Sequence, residues 1–178
     1  MKAVTSIEPQ RFRDLMAAVV APVTVVTTME DGQPYGATVS SFASLSLEPP
    51  LITVAFDDRS SMLARVLSVG RFGVNLLGCA QAGLAVLFAQ RDVDRFAGTD
   101  WHADHGLPRL DGAAGWVVCE LRDVVVGGDH RLLVGHVTAA SRAELPPLVY
   151  AHRTFGTHSR YSERPRPLII DQIAACAR

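Results

Sequence analysis

The fold is most readily deduced from residues 36–56, which read Gly36-Ala-Thr-Val-Ser-Ser-Phe-Ala-Ser-Leu-Ser-Leu-Glu-Pro-Pro-Leu-Ile-Thr-Val-Ala-Phe56. Six of the nine side chains from Thr38 to Ser46 are Thr, Ser or Ala, which predicts one strand with hydroxyl groups and an approachable backbone. Pro49 and Pro50 cannot donate to a sheet ladder, so this strand must end there. The apolar run from Leu51 to Phe56 predicts a second, buried strand. The hydroxyl-rich strand is therefore either a wall of a ligand site or a solvent-facing edge strand.

Periodicity and turn residues predict the other elements of the chain. In the first half they are a helix over residues 8–20, a strand over 23–29, a helix that begins at Ser60-Ser61 and ends at Gly70, a strand over 71–77, and a helix over 81–90 that continues less regularly to 96. In the second half they are a loop over 98–106, a long hairpin over 116–126 and 130–138, a strand over 148–155 and a weak helix over 168–177. A mainly β, antiparallel protein with a few helices is expected.

Length and composition limit the class of protein. The chain has 178 residues, 48% of them hydrophobic, so residues 1–178 are expected to form a single domain with a core at about 10–160 and a C-terminal tail at 162–178. The net charge is −1 and the basic residues are scattered, so no nucleic-acid partner is expected. The sequence lacks an apolar signal region and a run long enough to span a bilayer, which favours a cytoplasmic protein with no membrane partner.

Several common catalytic motifs are absent from the sequence. It contains no Gly-x-Gly-x-x-Gly, Gly-x-x-x-x-Gly-Lys, Gly-x-Ser-x-Gly or His-Glu-x-x-His motif, which disfavours a Rossmann oxidoreductase, a nucleotide triphosphatase, a serine hydrolase and a zinc protease. His102, Asp104 and His105 lie close together in the sequence, but a zinc site needs further ligands and supporting hydrogen bonds. No metal site is predicted.

Two polar features have both a functional and a structural interpretation. Ser60 and Ser61, at the start of a predicted helix, form either an anion site or an ordinary helix cap. Asn75, a polar residue inside an apolar strand, either binds a ligand or satisfies the backbone of a loop. The residues alone leave both questions open.

Ordered motifs along the chain resemble those of one known family. The run Thr38-Val-Ser-Ser-Phe-x-Ser-Leu-Ser-Leu-x-Pro-Pro-Leu51 is similar to the signature of the flavin reductase-like proteins of the FMN-binding split-barrel fold. Further matches follow in the family's order: Arg59-Ser-Ser61, Phe72-Gly-Val-Asn-Leu-Leu77, Asp94-Arg-Phe96, Gly128-Asp-His130 with Gly135 and Val137, and Leu148-Val-Tyr-x-x-Arg153. The resemblance covers roughly residues 10–160. It implies an antiparallel split β-barrel of Greek-key type, with about six or seven strands and helices at its rim, assembled as a homodimer.

The resemblance also implies a function. Members of this family are small NAD(P)H:flavin oxidoreductases, which transfer a hydride from NADH or NADPH to FMN or FAD. They supply the reduced flavin to a separate flavin-dependent monooxygenase. The protein is needed mainly to stack and orient the two rings, because the hydride passes directly between them.

The same resemblance implies a set of site residues. The flavin ring is expected along Thr38, Val39, Ser40 and Ser41 and beside Ser44, Leu45 and Ser46; its phosphate is expected at Ser60 and Ser61, near Phe88 and Ala89; and Asn75 is expected on the ligand side. The catalytic residue His130 is expected to contact the nicotinamide together with Tyr150 and Arg153. The alternative for His130 is a turn histidine that caps its own loop.

Two other functions remain compatible with such a fold. One is a flavin- or haem-binding split-barrel protein without reductase turnover, and the other is a flavin enzyme that acts on its own organic substrate. The elements Gly128-Asp-His130 and Tyr150-x-x-Arg153 would be dispensable to a protein that only binds flavin. Their joint presence favours the reductase.

Overall fold

The structure is a computed structural model that describes residues 7–158. Within this range the helices are α1 (Pro9–Ala18), α2 (Ser61–Val69) and α3 (Ala82–Ala89), the last preceded by a short 3-10 turn at Cys79–Gln81. The strands are β1 (Ala21–Pro22), β2 (Thr24–Glu30), β3 (Gln33–Val39), β4 (Ala43–Leu47), β5 (Pro50–Asp57), β6 (Arg71–Leu76), β7 (Trp101–Asp104), β8 (Leu107–Leu110), β9 (Gly115–Gly127), β10 (His130–Arg142), β11 (Leu148–Ala151) and β12 (Thr154–Thr157). The helix expected over residues 168–177 lies outside the described range.

A seven-stranded antiparallel sheet forms the body of the fold. Its strand order is β3-β2-β6-β9-β10-β5-β4, and a three-stranded sheet, β1-β11-β12, and the hairpin β7-β8 accompany it. The sheet curls enough for the segment after β3 to reach β5, where the Ser41 hydroxyl accepts a hydrogen bond from the Ala55 N–H at 2.7 Å and donates to the Ala55 carbonyl at 3.1 Å. The prediction of a mainly β, antiparallel fold is confirmed.

Local sequence signals explain where the helices begin and end. The Glu8 carboxylate caps α1 by accepting hydrogen bonds from the first backbone N–H groups. The Ser60 hydroxyl accepts from the Leu63 N–H at 3.4 Å and caps α2, and Gly70, with φ of 72°, ends that helix in the left-handed conformation. The predicted starts and stops of both helices are confirmed to within two residues.

The hydroxyl-rich stretch is not one strand, as the sequence predicted, but two. β3 ends at Val39, Ser40 and Ser41 form a bend, and β4 begins at Ala43, so the two halves lie at opposite edges of the seven-stranded sheet. Between the two strands, the Ser41 hydroxyl bonds to both the N–H and the carbonyl of Ala55 in β5. It satisfies backbone groups that a neighbouring strand would otherwise pair, so the chain can pass from one edge of the sheet to the other.

Two-residue turns account for two further corrections. The strand expected over 148–155 is the hairpin β11–β12, because His152 and Arg153 both adopt positive φ, at 50° and 59°. The loop expected over 98–106 contains strand β7 and the turn of the hairpin β7–β8, at His105 and Gly106 with φ of 52° and 74°. The continuation of the third helix through residues 92–96 is also wrong, because α3 ends at Ala89 and a loop follows.

The largest core cluster fills the curled sheet and includes Phe72, Val54 and Leu133. Helix α1 lies outside the core, since none of its residues is buried and Phe12 and Leu15 are 50% and 57% exposed. It is attached to the β11–β12 turn by the Arg153–Asp14 ion pair at 2.7 Å. Across residues 7–158, no helix combines the length and the apolar character that crossing a membrane would require.

Candidate functional site

A groove of about 640 Å³ opens where the ends of several elements meet. It lies against the last residues of β3 and β5, the N-terminus of α2, the C-terminus of α3 with the loop that follows, and the first residue of β10. Its lining contains most of the site residues predicted from the sequence: Thr38, Val39, Ser40, Ser41, Ser60, Ser61, Phe88, Ala89 and His130. Its volume is typical of a site for a small molecule or cofactor.

The strand wall of the groove is built from small side chains. Ala37, Ser40 and Ala55 line it and leave the backbone accessible, as the predicted ligand wall requires. The Thr38 hydroxyl donates to the Ala85 carbonyl at 2.7 Å, which fixes the end of β3 against α3. The hydroxyls of Thr38 and Ser41 already bond to backbone groups, so these two side chains mainly hold the wall in shape.

The N-terminus of α2 forms one end of the groove and has a geometry suited to an anion. Ser60 and Ser61 line it at the end of the helix where backbone N–H groups carry partial positive charge. The neighbouring Arg59 bonds to Asp57 through its guanidinium at 3.1 Å and its backbone N–H at 2.8 Å, and these bonds lower the pKa of the Asp57 carboxyl to about 2. Ser60 is therefore a helix cap that also lines the groove, and the anion site at Ser60 and Ser61 stays a prediction.

The loop after α3 supplies cationic groups that were not among the predicted site residues. Arg91, Asp92 and Arg95 line the groove, and Arg91 forms no hydrogen bond or ion pair with any residue between 7 and 158. Together with Arg59 and Asp57, these residues give the lining three arginines and two aspartates. The lining therefore carries an excess of positive charge.

Arg95 holds this loop in place. Its Nη1 donates to the Gly36 carbonyl at 2.7 Å, and its Nε donates to the Gln90 carbonyl at 3.0 Å, with a second, shorter bond from Nη2 to the same carbonyl. Burial lowers the pKa of this guanidinium. In the sequence, the Asp94-Arg-Phe96 motif was the signal that could have identified Arg95 as a site residue. In the structure, the Asp94 carboxylate accepts a hydrogen bond from the Phe96 N–H, and the Phe96 ring packs edge-on against Phe88.

His130 lies at the rim of the groove and is directly opposite Asp57 in the β5–β10 pairing. Its side chain is 47% exposed, and its Nδ1 is 2.7 Å from the Asp129 carboxylate. This hydrogen bond is the main reason why the pKa of Asp129 is lowered. A carboxylate at Nδ1 favours a proton on that nitrogen, which leaves Nε2 for a ligand. His130 thus bonds within its own turn, as the alternative required, and also lines the groove.

Six predicted site residues do not join this groove within the described chain. Ser44, Leu45 and Ser46 lie on β4, at the edge of the sheet, and Leu45 is 55% exposed. Tyr150 packs against Phe155 in the three-stranded sheet, and Arg153 pairs with Asp14 of α1. Arg153 and His130 were expected to face the same flavin ring. Among the described residues of one protomer they do not, because only His130 lines the groove.

Asn75 requires a correction. It is fully buried, its side-chain N–H groups donate to the carbonyls of Val25 and Pro108 at 3.2 and 3.4 Å, and its Oδ1 accepts from the Leu110 N–H at 2.8 Å. These bonds hold the β7–β8 hairpin against the barrel. The ligand interpretation is wrong because the polar atoms of Asn75 are already bonded to the protein, and the loop-backbone alternative is correct.

The histidines and aspartates of the β7–β8 hairpin pair with protein groups. His102 Nδ1 is 2.7 Å from Asp111, and Asp104 accepts from Arg109 at 2.8 Å, which lowers the pKa of the Asp104 carboxyl. Across residues 7–158, no three His, Cys, Asp or Glu side chains are grouped as a metal ion would require.

The chemistry of the groove fits a flat, anionic ligand. Small residues on β3 and β5 leave room for a planar group, and the α2 N-terminus with Arg59, Arg91 and Arg95 suits phosphate. His130 adds a donor or acceptor at the opposite rim. No side chain in the lining has the partners of an activated nucleophile, so the arrangement favours binding and orientation over covalent catalysis.

Comparisons with known proteins extend this description. The family model described as "Flavin reductase like domain" matches residues 16–159. A probable flavin reductase of Rhizobium meliloti (strain 1021) is 37% identical over 152 residues, which are 84% of this chain but only 49% of that protein, so this chain spans about half its length. The reductase subunit HsaB of a flavin-dependent monooxygenase of Rhodococcus jostii (strain RHA1) is 40% identical over 151 residues, 83% of this chain and 77% of the relative.

A solved structure gives the same picture. The NADH:FAD oxidoreductase SgcE6 of Streptomyces globisporus C-1027, in complex with NAD and FAD fragments, matches with a TM-score of 0.83 and 28% identity, covering 90% of this chain and 100% of that chain. The expected antiparallel split-barrel fold is confirmed by this likeness and by the sheet order.

Proposed function

The chain belongs to the flavin reductase-like family, and from this premise we propose that it is an NAD(P)H:flavin oxidoreductase that supplies reduced flavin to a separate flavin-dependent monooxygenase. The observation that carries the proposal is the composition of one groove. A wall of small residues, a helix N-terminus with partial positive charge and His130 all line the same space of about 640 Å³. These are the parts needed to hold a flavin and to bring a nicotinamide against it.

The residues of the groove bind and orient, and the bound flavin supplies the redox chemistry by accepting a hydride from the nicotinamide. Ala37, Ser40 and Ala55 would leave room for the flavin ring beside the strand backbone. Ser60, Ser61 and Arg91 would hold the phosphate by hydrogen bonds and charge. His130 would orient the nicotinamide through Nε2, because Asp129 occupies Nδ1.

FMN and FAD, and NADH and NADPH, are all candidate reactants of this enzyme. The name of SgcE6 specifies NADH and FAD, which supports NADH as the first donor to test. The relatives named as reductase components support a separate monooxygenase as the partner that receives the reduced flavin. A cytoplasmic location remains the expectation for a protein that uses these soluble reactants.

A homodimer also belongs to this proposal. The exposed apolar side chains of α1, among them Phe12, Leu15 and Met16, support the idea that a second copy covers this helix. In a dimer, Tyr150 and Arg153 of one protomer could complete the nicotinamide site of the other. Small-angle scattering would show a particle of twice the chain mass, and a stable monomer with bound flavin would contradict the assembly.

The function is tested by mixing the purified protein with NADH and either FMN or FAD and following the nicotinamide absorbance under anaerobic conditions. We expect oxidation of NADH that requires both protein and flavin, with many turnovers per protein chain. A protein that binds flavin but oxidises no NADH or NADPH would instead be the binding-only alternative. Oxidation that also required an organic substrate would indicate the third function.

Replacement of Ser41 by leucine should weaken flavin binding by about tenfold, since a bulky side chain would enter the wall along which the ring lies. Flavin fluorescence titration measures the affinity. Ser41→Ala separates this effect from structural damage, because it removes the two bonds to Ala55 but leaves the space open. We expect Ser41→Ala to lower stability by about 1 kcal/mol per lost bond and to change flavin affinity little. Unchanged affinity in Ser41→Leu would remove this wall from the site.

A further inference from the structure

Two turns lie side by side where the pairing of β5 with β10 stops. The last residues paired are Asp57 and His130, and both line the groove. The chain that leaves β5 runs through residues 58–60 into α2, and the chain that enters β10 turns at residues 128–129. One turn therefore leads to the helix N-terminus of the groove, and the other leads to the histidine at its rim.

Asp58 links the two turns on both sides of His130. Its backbone N–H donates to the Asp129 carbonyl at 3.0 Å. Its carboxylate accepts a hydrogen bond from the Arg131 Nε at 2.7 Å, and the two side chains form an ion pair. A single residue of the first turn thus holds the residue before His130 and the residue after it.

Asp58 is also held close to α2. The Ser60 N–H donates to the Asp57 carbonyl at 2.9 Å, and the Ser60 hydroxyl caps the helix. The Arg59 N–H donates to the Asp57 carboxylate at 2.8 Å. These bonds close the turn around Asp58, so the helix N-terminus and the turn of His130 are held at a defined separation.

The ion pair between Asp58 and Arg131 stands outside the groove. Neither residue lines the groove, and the two side chains are 38% and 36% exposed. An ion pair with this exposure contributes little to the stability of a whole domain. Its effect is therefore expected in the position of the neighbouring His130, and not in the free energy of unfolding.

From these contacts we propose that Asp58 and Arg131 are positioning residues, which fix the His130 imidazole relative to the N-terminus of α2. The proposal rests on the proposed function, in which the flavin phosphate lies at that helix and the nicotinamide at His130. The flavin is then held from one turn and the nicotinamide from the other, so the bonds between the turns help to set the separation of the two rings. A displacement of about 1 Å can lower the rate of such a transfer by about a hundredfold.

Steady-state kinetics of NADH oxidation by the full chain test the proposal. Arg131→Leu removes the ion pair but leaves the backbone bond from Asp58 to Asp129. We expect kcat at saturating NADH and flavin to fall about fivefold. The Kd for flavin and the urea unfolding midpoint should stay unchanged, because the pair touches no groove ligand and is exposed. Arg131→Lys retains a positive charge for Asp58 and should retain most of the rate.

The matched control is Arg109→Leu. Arg109 lies in β8, pairs with Asp104 at 2.8 Å and has a side chain that is 29% exposed, but it does not line the groove. Its replacement removes a comparable ion pair from a strand and should leave kcat unchanged. An equal loss of kcat in Arg109→Leu and Arg131→Leu would contradict a role specific to the His130 turn.

A double-mutant cycle with His130→Ala shows whether the pair acts through the imidazole. If it does, Arg131→Leu should cause no further loss of kcat in the His130→Ala protein. Asp58→Ala covers the case in which Arg131→Leu fails to fold, and the same results are expected of it. An unchanged kcat in these variants, or a full loss that persists without the imidazole, would overturn the proposal while NADH oxidation by the unmodified protein still supported the function. Absence of flavin-dependent oxidation in the unmodified protein would overturn both.

Discussion

Replacement of Gly73 by alanine should destabilise the protein by about 3 kcal/mol or more, the largest stability loss expected for so small a change. A Cβ at this position would lie 2.0 Å from Cη2 of Trp116 and 3.0 Å from the Thr27 hydroxyl. Trp116 is only 2% exposed, so its ring has little room to withdraw. Neither can the backbone shift easily, because Gly73 lies in β6, paired with Thr27 of β2 on one side and Val118 of β9 on the other.

Urea unfolding of Gly73→Ala, followed by circular dichroism, measures the loss. The matched control is Gly83→Ala in α3, where an added Cβ would meet no atom within 4 Å. Because alanine favours a helix over glycine by about 1 kcal/mol, this control should be as stable as the unmodified protein or slightly more so. A Gly73→Ala protein with an unchanged unfolding midpoint would mean that β6 and Trp116 do not pack as described.

The elements that the sequence predicted well are those with local causes. The cap at Ser60, the stop at Gly70 and the long hairpin around Gly128 each depend on residues within a few positions, so their signals can be read from the sequence. The turn at His152 and Arg153 was missed because two non-glycine residues adopt positive φ there, which sequence signals rarely indicate.

The parts of the site that the sequence did not predict depend on distant partners. Asn75 was expected to face a ligand, but its partners are Val25, Pro108 and Leu110, which only the folded sheet brings to it. Arg95 stood in a recognisable motif without an assigned role, because its partner Gly36 is 59 residues away in the chain. Nine of the site residues implied by the family resemblance line the same groove, since such a resemblance carries information about the folded protein that local patterns lack.

Replacement of His130 by alanine should lower the rate of NADH oxidation by roughly ten- to a hundredfold and raise the KM for the nicotinamide, with flavin affinity nearly unchanged. The effect is limited because the hydride passes between flavin and nicotinamide, and no covalent step depends on the imidazole. His130 lines the groove, and Asp129 holds its Nδ1 at 2.7 Å, so Nε2 is available to orient the carboxamide. Steady-state kinetics at saturating flavin separate the two parameters.

The chain provides a matched control for this prediction in His102. His102 is 55% exposed and its Nδ1 is also 2.7 Å from a carboxylate, that of Asp111, but it does not line the groove. His102→Ala therefore removes an equivalent histidine–aspartate pair and should leave nicotinamide kinetics unchanged. If His130→Ala instead retained these kinetics and lost stability or flavin affinity, His130 would only cap its turn. The nicotinamide role would then pass to Tyr150 or Arg153, reached across the proposed dimer.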